Sequence, residues 1–150
     1  MKALIIGGGG FVGPYLAKHL TEDLGYTVTV TKTEKETLNL DGVGIANLNI
    51  LDKEQIKELL VNEEPDYVFH LAAQSSVAYS WKNPSLTIDV NVKGCANLLD
   101  VLRELEKKPR VLLIGSGEEY GHIKSSECPI VEDNTVRPGN IYAATKACQN

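Results

Sequence analysis

Four apolar residues, Ala3 to Ile6, run straight into four glycines, Gly7 to Gly10, and then into Phe11, Val12 and Gly13. An apolar run without alternation reads as a strand buried on both faces, which is the mark of a parallel sheet. A helix follows, with Val12, Leu16 and Leu20 and the mixed positions Tyr15 and His19 on one stripe, and with Gly25 closing it. A strand, a glycine turn and a helix in immediate succession leave few folds open. The next strand is expected to return by a right-handed crossover and pair in parallel.

The rest of the chain keeps the alternation. Residues 26–31 are β-branched and alternating and predict a second strand, and a weaker third lies around Ile45 to Ile50. Asp52, with Gln55 three residues on, predicts a helix start with a capping box, and Ile56, Leu59 and Leu60 form its inner stripe. Residues 67–71 and 110–114 predict strands four and five. Asn83-Pro84 predicts the start of a long helix reaching about Lys107, and a last helix begins near Asn140. Residues 116–139, with Pro129 and Pro138, read as loop. The expected fold is α/β, a Rossmann-type doubly wound parallel sheet with strand order 3-2-1-4-5, forming one domain over residues 1–150.

Gly7, Gly10 and Gly13 stand at a G-x-x-G-x-x-G spacing, with Phe11 and Val12 between the last two. Glycine permits the tight turn and lets backbone amides approach a pyrophosphate, which the positive end of the helix then favours. These five positions are candidate dinucleotide contacts. An acid at the end of the second strand would bind ribose hydroxyls and favour NAD. Thr31, Lys32 and Thr33 stand there instead, with Glu34 only later. A lysine and hydroxyls suit a 2′-phosphate, so NADP is the expected cofactor and NAD the alternative. The competing reading makes Lys32 a solvated loop residue.

Composition narrows the partners. The chain carries 20 acids against 15 bases, a formal net charge of -5, with no basic cluster to bind nucleic acid. Cys95, Cys128 and Cys148 are odd in number and widely spaced, so buried free thiols are expected rather than disulfides or a zinc site. His19 and His122 lack the neighbours a metal site needs, and His70 reads as a packed strand residue. No stretch approaches the roughly 20 apolar residues of a membrane span, and a cytoplasmic location is expected. Trp81 either stacks on a ligand or fills a core edge.

Tyr142 and Lys146 fall one helical turn apart. A tyrosine hydroxyl has an ordinary pKa of about 10, and a neighbouring ammonium favours its charged form, which suits it to acid/base work near neutral pH. The same ammonium can hydrogen-bond a ribose. Ser116, at the end of the fifth strand, is placed to polarise a substrate oxygen, because ligands of open α/β sheets bind beyond the carboxyl ends of the strands.

Five blocks occur in order: Gly7-x-x-Gly10-x-x-Gly13, His70-Leu-Ala-Ala-Gln-Ser-Ser76, Asn91-Val-Lys-Gly-Cys-Ala-Asn-Leu-Leu99, Gly115-Ser-Gly-Glu-Glu-Tyr-Gly121 and Tyr142-Ala-Ala-Thr-Lys146. Together they resemble the extended short-chain dehydrogenases/reductases, in the nucleotide-sugar epimerase and dehydratase group. Within it they look most like enzymes of GDP-sugar metabolism, the GDP-4-keto-6-deoxy-D-mannose reductases and GDP-mannose 4,6-dehydratases. The resemblance implies a catalytic set of Ser116, Tyr142 and Lys146. It implies cofactor contacts from Leu71, Ala72 and Ala73 and from Asn49 and Ile50, although an acid is commoner than asparagine at 49 and a threonine commoner than Ile6 before the glycines. It implies substrate contacts from Gln74, Ser75, Ser76, Ser116 and Glu118, and makes Asn91 an active-site support. Glu118 matches the acid/base of the dehydratases, but similar reductases carry it too, and a structural carboxylate is an equal reading.

The implied reaction is NADPH reduction of a GDP-linked 4-keto-6-deoxy sugar. The alternatives are GDP-mannose 4,6-dehydration or another nucleotide-sugar epimerase or dehydratase activity. A non-catalytic dinucleotide-binding fragment is the reading from a different class. Family members continue for about as many residues again, so the chain is expected to be the N-terminal portion of a longer enzyme, without its C-terminal substrate part. The full-length form is expected to be a homodimer.

Overall fold

A computed structural model of the chain describes residues 1–149. Two compact units are present. The first comprises Met1–Ala72 and Gly94–Ile114, and the second comprises Ala73–Lys93 and the segment from Gly115 onward.

The first unit holds the sheet. Strands β1 (Lys2–Ile6), β2 (Thr27–Lys32), β3 (Gly44–Asn47), β4 (Tyr67–His70) and β5 (Arg110–Leu113) pair in the order β3-β2-β1-β4-β5, with every pairing parallel. This is the order read from the sequence. Strand β1 is buried at four consecutive positions, Ala3 to Ile6, as expected of a central parallel strand. Ile5 and Val30 pack with Ala3, Val28, Ala17 and Leu20 into one cluster. Each large aliphatic side chain buried there stabilises the fold by about 1.5–3 kcal/mol.

Helix α1 (Val12–Lys18), extended by a π-helical turn at His19–Asp23, packs Leu20 and the half-buried Leu16 of the expected stripe on the core, but turns in Gly13 and Ala17 where Val12 and Tyr15 were expected. Gly13, Ala17 and Leu20 are buried, while Val12 and Tyr15 lie exposed. The cause is Gly13, where a Cβ would collide with the backbone of Gly8. A helix that lies this close to the glycine turn must present its smallest residues to it.

Helix α2 (Lys53–Glu63) starts at Asp52, whose Oδ1 accepts the amides of Glu54 and Gln55, each at 3.1 Å. The capping box is only half formed, because the Gln55 side chain accepts the Asn49 amide instead. Helix α5 (Gly94–Glu104) buries Gly94, Cys95, Leu98, Val101 and Leu102, an i, i+4, i+7 stripe. Asp66 ties the first strand down by accepting the Lys2 amide at 2.8 Å and pairing with Lys107 at 2.7 Å. These contacts, led by the Lys107 hydrogen bond, hold its carboxyl below the usual carboxylate range.

The second unit holds α3 (Val77–Lys82), α4 (Pro84–Ile88), a π-helical turn at Asp89–Lys93, 3₁₀ turns at Gly117–Tyr120 and Ser125–Glu127, and α6 (Ile141–Ala147). Helix α3 was not foreseen. Its start is marked only by Ser76, whose hydroxyl accepts the Tyr79 amide. The long helix expected from Asn83 is helical without a gap from Pro84 to Glu104, with a π turn at Asp89–Lys93 inside it, and stops short of Lys107. Trp81 is 61% exposed and so fills no core edge. Of the three thiols only Cys95 is buried, and Cys128 and Cys148 are exposed. Cys148 follows the last turn of a short helix, where burial ends.

Candidate functional site

The glycine turn is fixed to the end of β2 by Thr31. Its hydroxyl accepts the Gly7 amide and its carbonyl accepts the Gly8 amide, both at 2.9 Å. Thr31 is buried, so its hydroxyl serves the turn and does not face a 2′-phosphate as the sequence reading had it. Gly7 has φ +79°, and a Cβ there would also run into the backbone of Ala72. The turn is therefore wedged between β2 and the exit of β4, where the Leu71 amide still bonds Ile6. A Cβ on Gly10 would meet only the Gly7 carbonyl, at 3.8 Å, and the amides of Gly9 and Gly10 have no partner among the described residues. Phe11, 84% exposed, and Val12 stand open beside them, with Phe11 tilted against Tyr15 at 5.5 Å. An exposed apolar pair next to free backbone amides suits a ligand with both a ring and an anion.

The neighbouring candidates divide. Lys32 sends its ammonium to Asn47 Oδ1 at 2.8 Å and to the Thr33 carbonyl. Asn49 is exposed, its side-chain carbonyl accepting the Leu51 amide. Ile50 is buried against Gly94, which leaves only its main chain for an adenine. Leu71, Ala72 and Ala73 are half-buried at the end of β4.

In the second unit, helix α6 organises the polar set. It packs against α3, α4, the π turn and the 117–120 turn. Asn140 caps it by accepting the Ala143 amide at 2.8 Å, and the same side chain donates to Glu118 Oε2 at 3.0 Å. Glu118 is thereby held at the start of the helix that carries Tyr142. Ser116 caps the 117–120 turn, its Oγ accepting the Glu118 amide at 3.3 Å. The Ser116 amide in turn donates to Glu119 Oε1 at 2.6 Å, and Glu119 is buried. The Ser116 hydroxyl accepts that amide through one lone pair and keeps its proton available to donate, as binding a carbonyl oxygen requires. Glu119, inside the quoted motif but given no role from sequence, fixes the backbone of the serine. The sequence signal for it was the capping-box pattern Ser116-x-x-Glu119.

Behind this set lies Asn91, fully buried in the π turn. Its Nδ2 donates to Thr145 Oγ1 at 2.9 Å and to the Gln74 carbonyl at 3.1 Å, and its Oδ1 accepts the Gln74 amide at 2.7 Å. Thr145 then donates to the Tyr142 carbonyl at 2.7 Å. Lys146 is only 4% exposed, and its ammonium donates to Gln149, whose amide reaches the Asn91 carbonyl at 2.8 Å. Of the substrate candidates, Gln74 holds the Ser76 amide, Ser76 caps α3, and Ser75 is exposed. Replacing Asn91 with leucine is expected to leave three partners unsatisfied and to cost about 2–4 kcal/mol of stability. Urea denaturation of the variant checks this, and an unchanged midpoint would contradict the role given to Asn91.

No group of three potential metal ligands occurs among the described residues, and no helix among them is long and apolar enough to cross a membrane.

A family model described as GDP-mannose 4,6 dehydratase matches residues 4–150. The chain belongs to this family. The dehydratase-family chain is 30% identical to UDP-glucuronate 4-epimerase 4 of Arabidopsis thaliana, over 97% of its own length and 36% of the plant protein. Its fold superposes on UDP-glucose 4-epimerase from Brucella ovis, solved in complex with NAD, with TM-score 0.89 and 29% identity, covering 99% of this chain and 45% of that one. It also superposes on RMD from Pseudomonas aeruginosa, complexed with NADPH, with TM-score 0.81 and 28% identity over 99% of this chain and 45% of that one. The chain thus spans less than half the length of these relatives. The wider group is that of the nucleotide-sugar epimerases and dehydratases, of the extended short-chain dehydrogenase/reductase type.

Proposed function

We propose that the chain supplies the dinucleotide-binding and acid/base portion of an enzyme that reduces a GDP-linked 4-keto-6-deoxy sugar. The observation that carries this reading is the arrangement around Asn140, which holds Glu118 at the head of the helix bearing Tyr142 and Lys146. The glycine turn and the exposed Phe11–Val12 pair suit a nicotinamide dinucleotide, whose chemistry when bound is to give or take a hydride. Gly7, Gly10, Gly13, Leu71, Ala72 and Ala73 would hold it, along with the main chain at Asn49 and Ile50. Ser116 would donate a hydrogen bond, keeping its proton, to the sugar carbonyl oxygen and so stabilise charge gathering there. Tyr142 delivers the proton that completes the hydroxyl, and Lys146 favours the resulting phenolate and holds a ribose. Gln74, Ser75 and Ser76 lie on the loop that would meet the sugar.

The GDP preference is supported by the matching family model and by the Gly-Ser-Gly-Glu-Glu-Tyr-Gly block followed by Arg137-Pro-Gly-Asn-Ile-Tyr. A second reading, 4-epimerisation of a UDP-sugar, is favoured by the identity to plant and bacterial epimerases. The two separate in one experiment. The chain, in its longest form, is mixed with reduced dinucleotide and GDP-4-keto-6-deoxy-D-mannose, and absorbance at the nicotinamide band is followed. Stoichiometric oxidation is the expected result. Steady absorbance, with interconversion of UDP-glucose and UDP-galactose by the same sample, would replace the reductase by the epimerase. Conversion of GDP-mannose without net oxidation would give Glu118 the dehydratase role.

A further inference from the structure

The polar network of α6 continues past Lys146. The Lys146 ammonium, on a side chain only 4% exposed, donates to Gln149 Oε1. Gln149 Nε2 in turn donates to the Asn91 main-chain carbonyl at 2.8 Å. A turn keeps Gln149 within reach, its main-chain N–H donating to the Lys146 carbonyl at 3.0 Å. Asn91 therefore grips the end of α6 twice, through its side chain at Thr145 and through its main chain at Gln149. Its own place is fixed, because it is fully buried and also bonds Gln74 in both directions.

The chemistry of the residue at 149 matters as much as its reach. A buried ammonium needs acceptors, and a carboxylate makes the strongest one. A carboxylate would also offset the positive charge that the lysine brings to Tyr142. A glutamine accepts through its oxygen, donates through its nitrogen and carries no charge. An ammonium has three N–H donors, so bonding one amide oxygen does not exhaust it. Resting on the Tyr142–Lys146 reading above, we infer that Gln149 is a positioning residue, which ties the Lys146 ammonium to the Asn91 carbonyl through a neutral amide and so fixes where the lysine meets the tyrosine and a ribose while leaving its charge intact. The four-carbon stem of a lysine is flexible and does not define the place of its head unaided.

Two variants separate placement from charge. Fluorescence titration of NADH and NADPH gives binding. Turnover of GDP-4-keto-6-deoxy-D-mannose by the longest form of the chain, or of UDP-glucose if the epimerase reading holds, gives kcat. Gln149→Leu removes both bonds and is expected to weaken dinucleotide binding about tenfold and to lower kcat about tenfold or more. Gln149→Glu still accepts from the ammonium but adds a negative charge. It is expected to bind dinucleotide within about threefold of wild type and to lose about tenfold in kcat. A side chain with only a structural role would not split binding from kcat in this way. Urea denaturation checks the fold, and the glutamate variant keeps the test open if the leucine variant does not fold. Wild-type binding and kcat in Gln149→Leu, or wild-type kcat in Gln149→Glu, would overturn the assignment. So would tighter dinucleotide binding in Gln149→Leu, which would make the amide a competitor of the ribose. Tyr142→Phe in the same assays tells the two failures apart. Inactive Tyr142→Phe beside unaffected Gln149 variants removes only the role of Gln149, whereas active Tyr142→Phe removes the Tyr142–Lys146 reading with it.

Discussion

Tyr142→Phe is expected to lower turnover of the nucleotide sugar by about 10²- to 10⁴-fold, the usual contribution of a positioned proton donor. The exchange deletes one hydroxyl and keeps the ring. The hydrogen bonds that hold this stretch of α6 go elsewhere: Thr145 bonds the Tyr142 carbonyl, and Asn140 bonds the Ala143 amide. The variant should therefore fold as wild type and bind reduced dinucleotide within about threefold, since the glycine turn proposed to hold it is untouched. Steady-state kinetics and cofactor titration on the same preparation separate the two effects. A fall confined to kcat supports the proton role. A variant turning over within about threefold of wild type would remove Tyr142 from the chemistry and leave Glu118 as the candidate acid.

Gly13→Val is expected to destabilise the first unit by about 3 kcal/mol or more and to abolish dinucleotide binding with it. The cause is steric. A Cβ at position 13 would overlap the Gly8 backbone, and backbone in a turn pinned twice by Thr31 has little room to retreat. Gly10→Ala is the control from the same turn. Its Cβ would approach only the Gly7 carbonyl, at 3.8 Å, and its stability should stay within about 0.5 kcal/mol of wild type. Chemical denaturation of the three proteins gives the comparison. Equal midpoints for Gly13→Val and wild type would mean that α1 can lift off the turn, contrary to the packing seen.

The strand order was legible because each strand is a short apolar or β-branched run followed by a helix, and parallel pairing leaves little else to arrange. The glycine turn and the Tyr142–Lys146 spacing were legible for the same local reason. What escaped depended on contacts distant in sequence. Thr31 looked like a ligand residue until its hydroxyl was seen to serve Gly7, 24 residues away. Leu16 and Leu20 face the core as periodicity has it, but the close approach at Gly13 rotates Val12 and Tyr15 of the same stripe out to solvent. Helix α3 was missed because a single capping serine is a weak start signal. Among the proposed site residues, Glu118 acquired a position only when Asn140 was seen to share its side chain between a helix cap and a carboxylate.

Asn91 and Thr145 are bonded at a separation of 54 positions in the chain. During synthesis on a ribosome, the segment from Ala73 to Lys93 emerges long before the helix it must meet, while β5 is complete by Leu113. The sheet can therefore assemble first, and the polar network closes only after α6 has left the exit tunnel. The β1–β4 side of the sheet closes a comparable separation, 64 positions at Lys2–Asp66, so it is the order of synthesis and not loop length that puts the network last. On the ribosome, therefore, the sheet should gain exchange protection before Asn91 is buried, an order that vectorial synthesis sets and that the sequence separations alone do not.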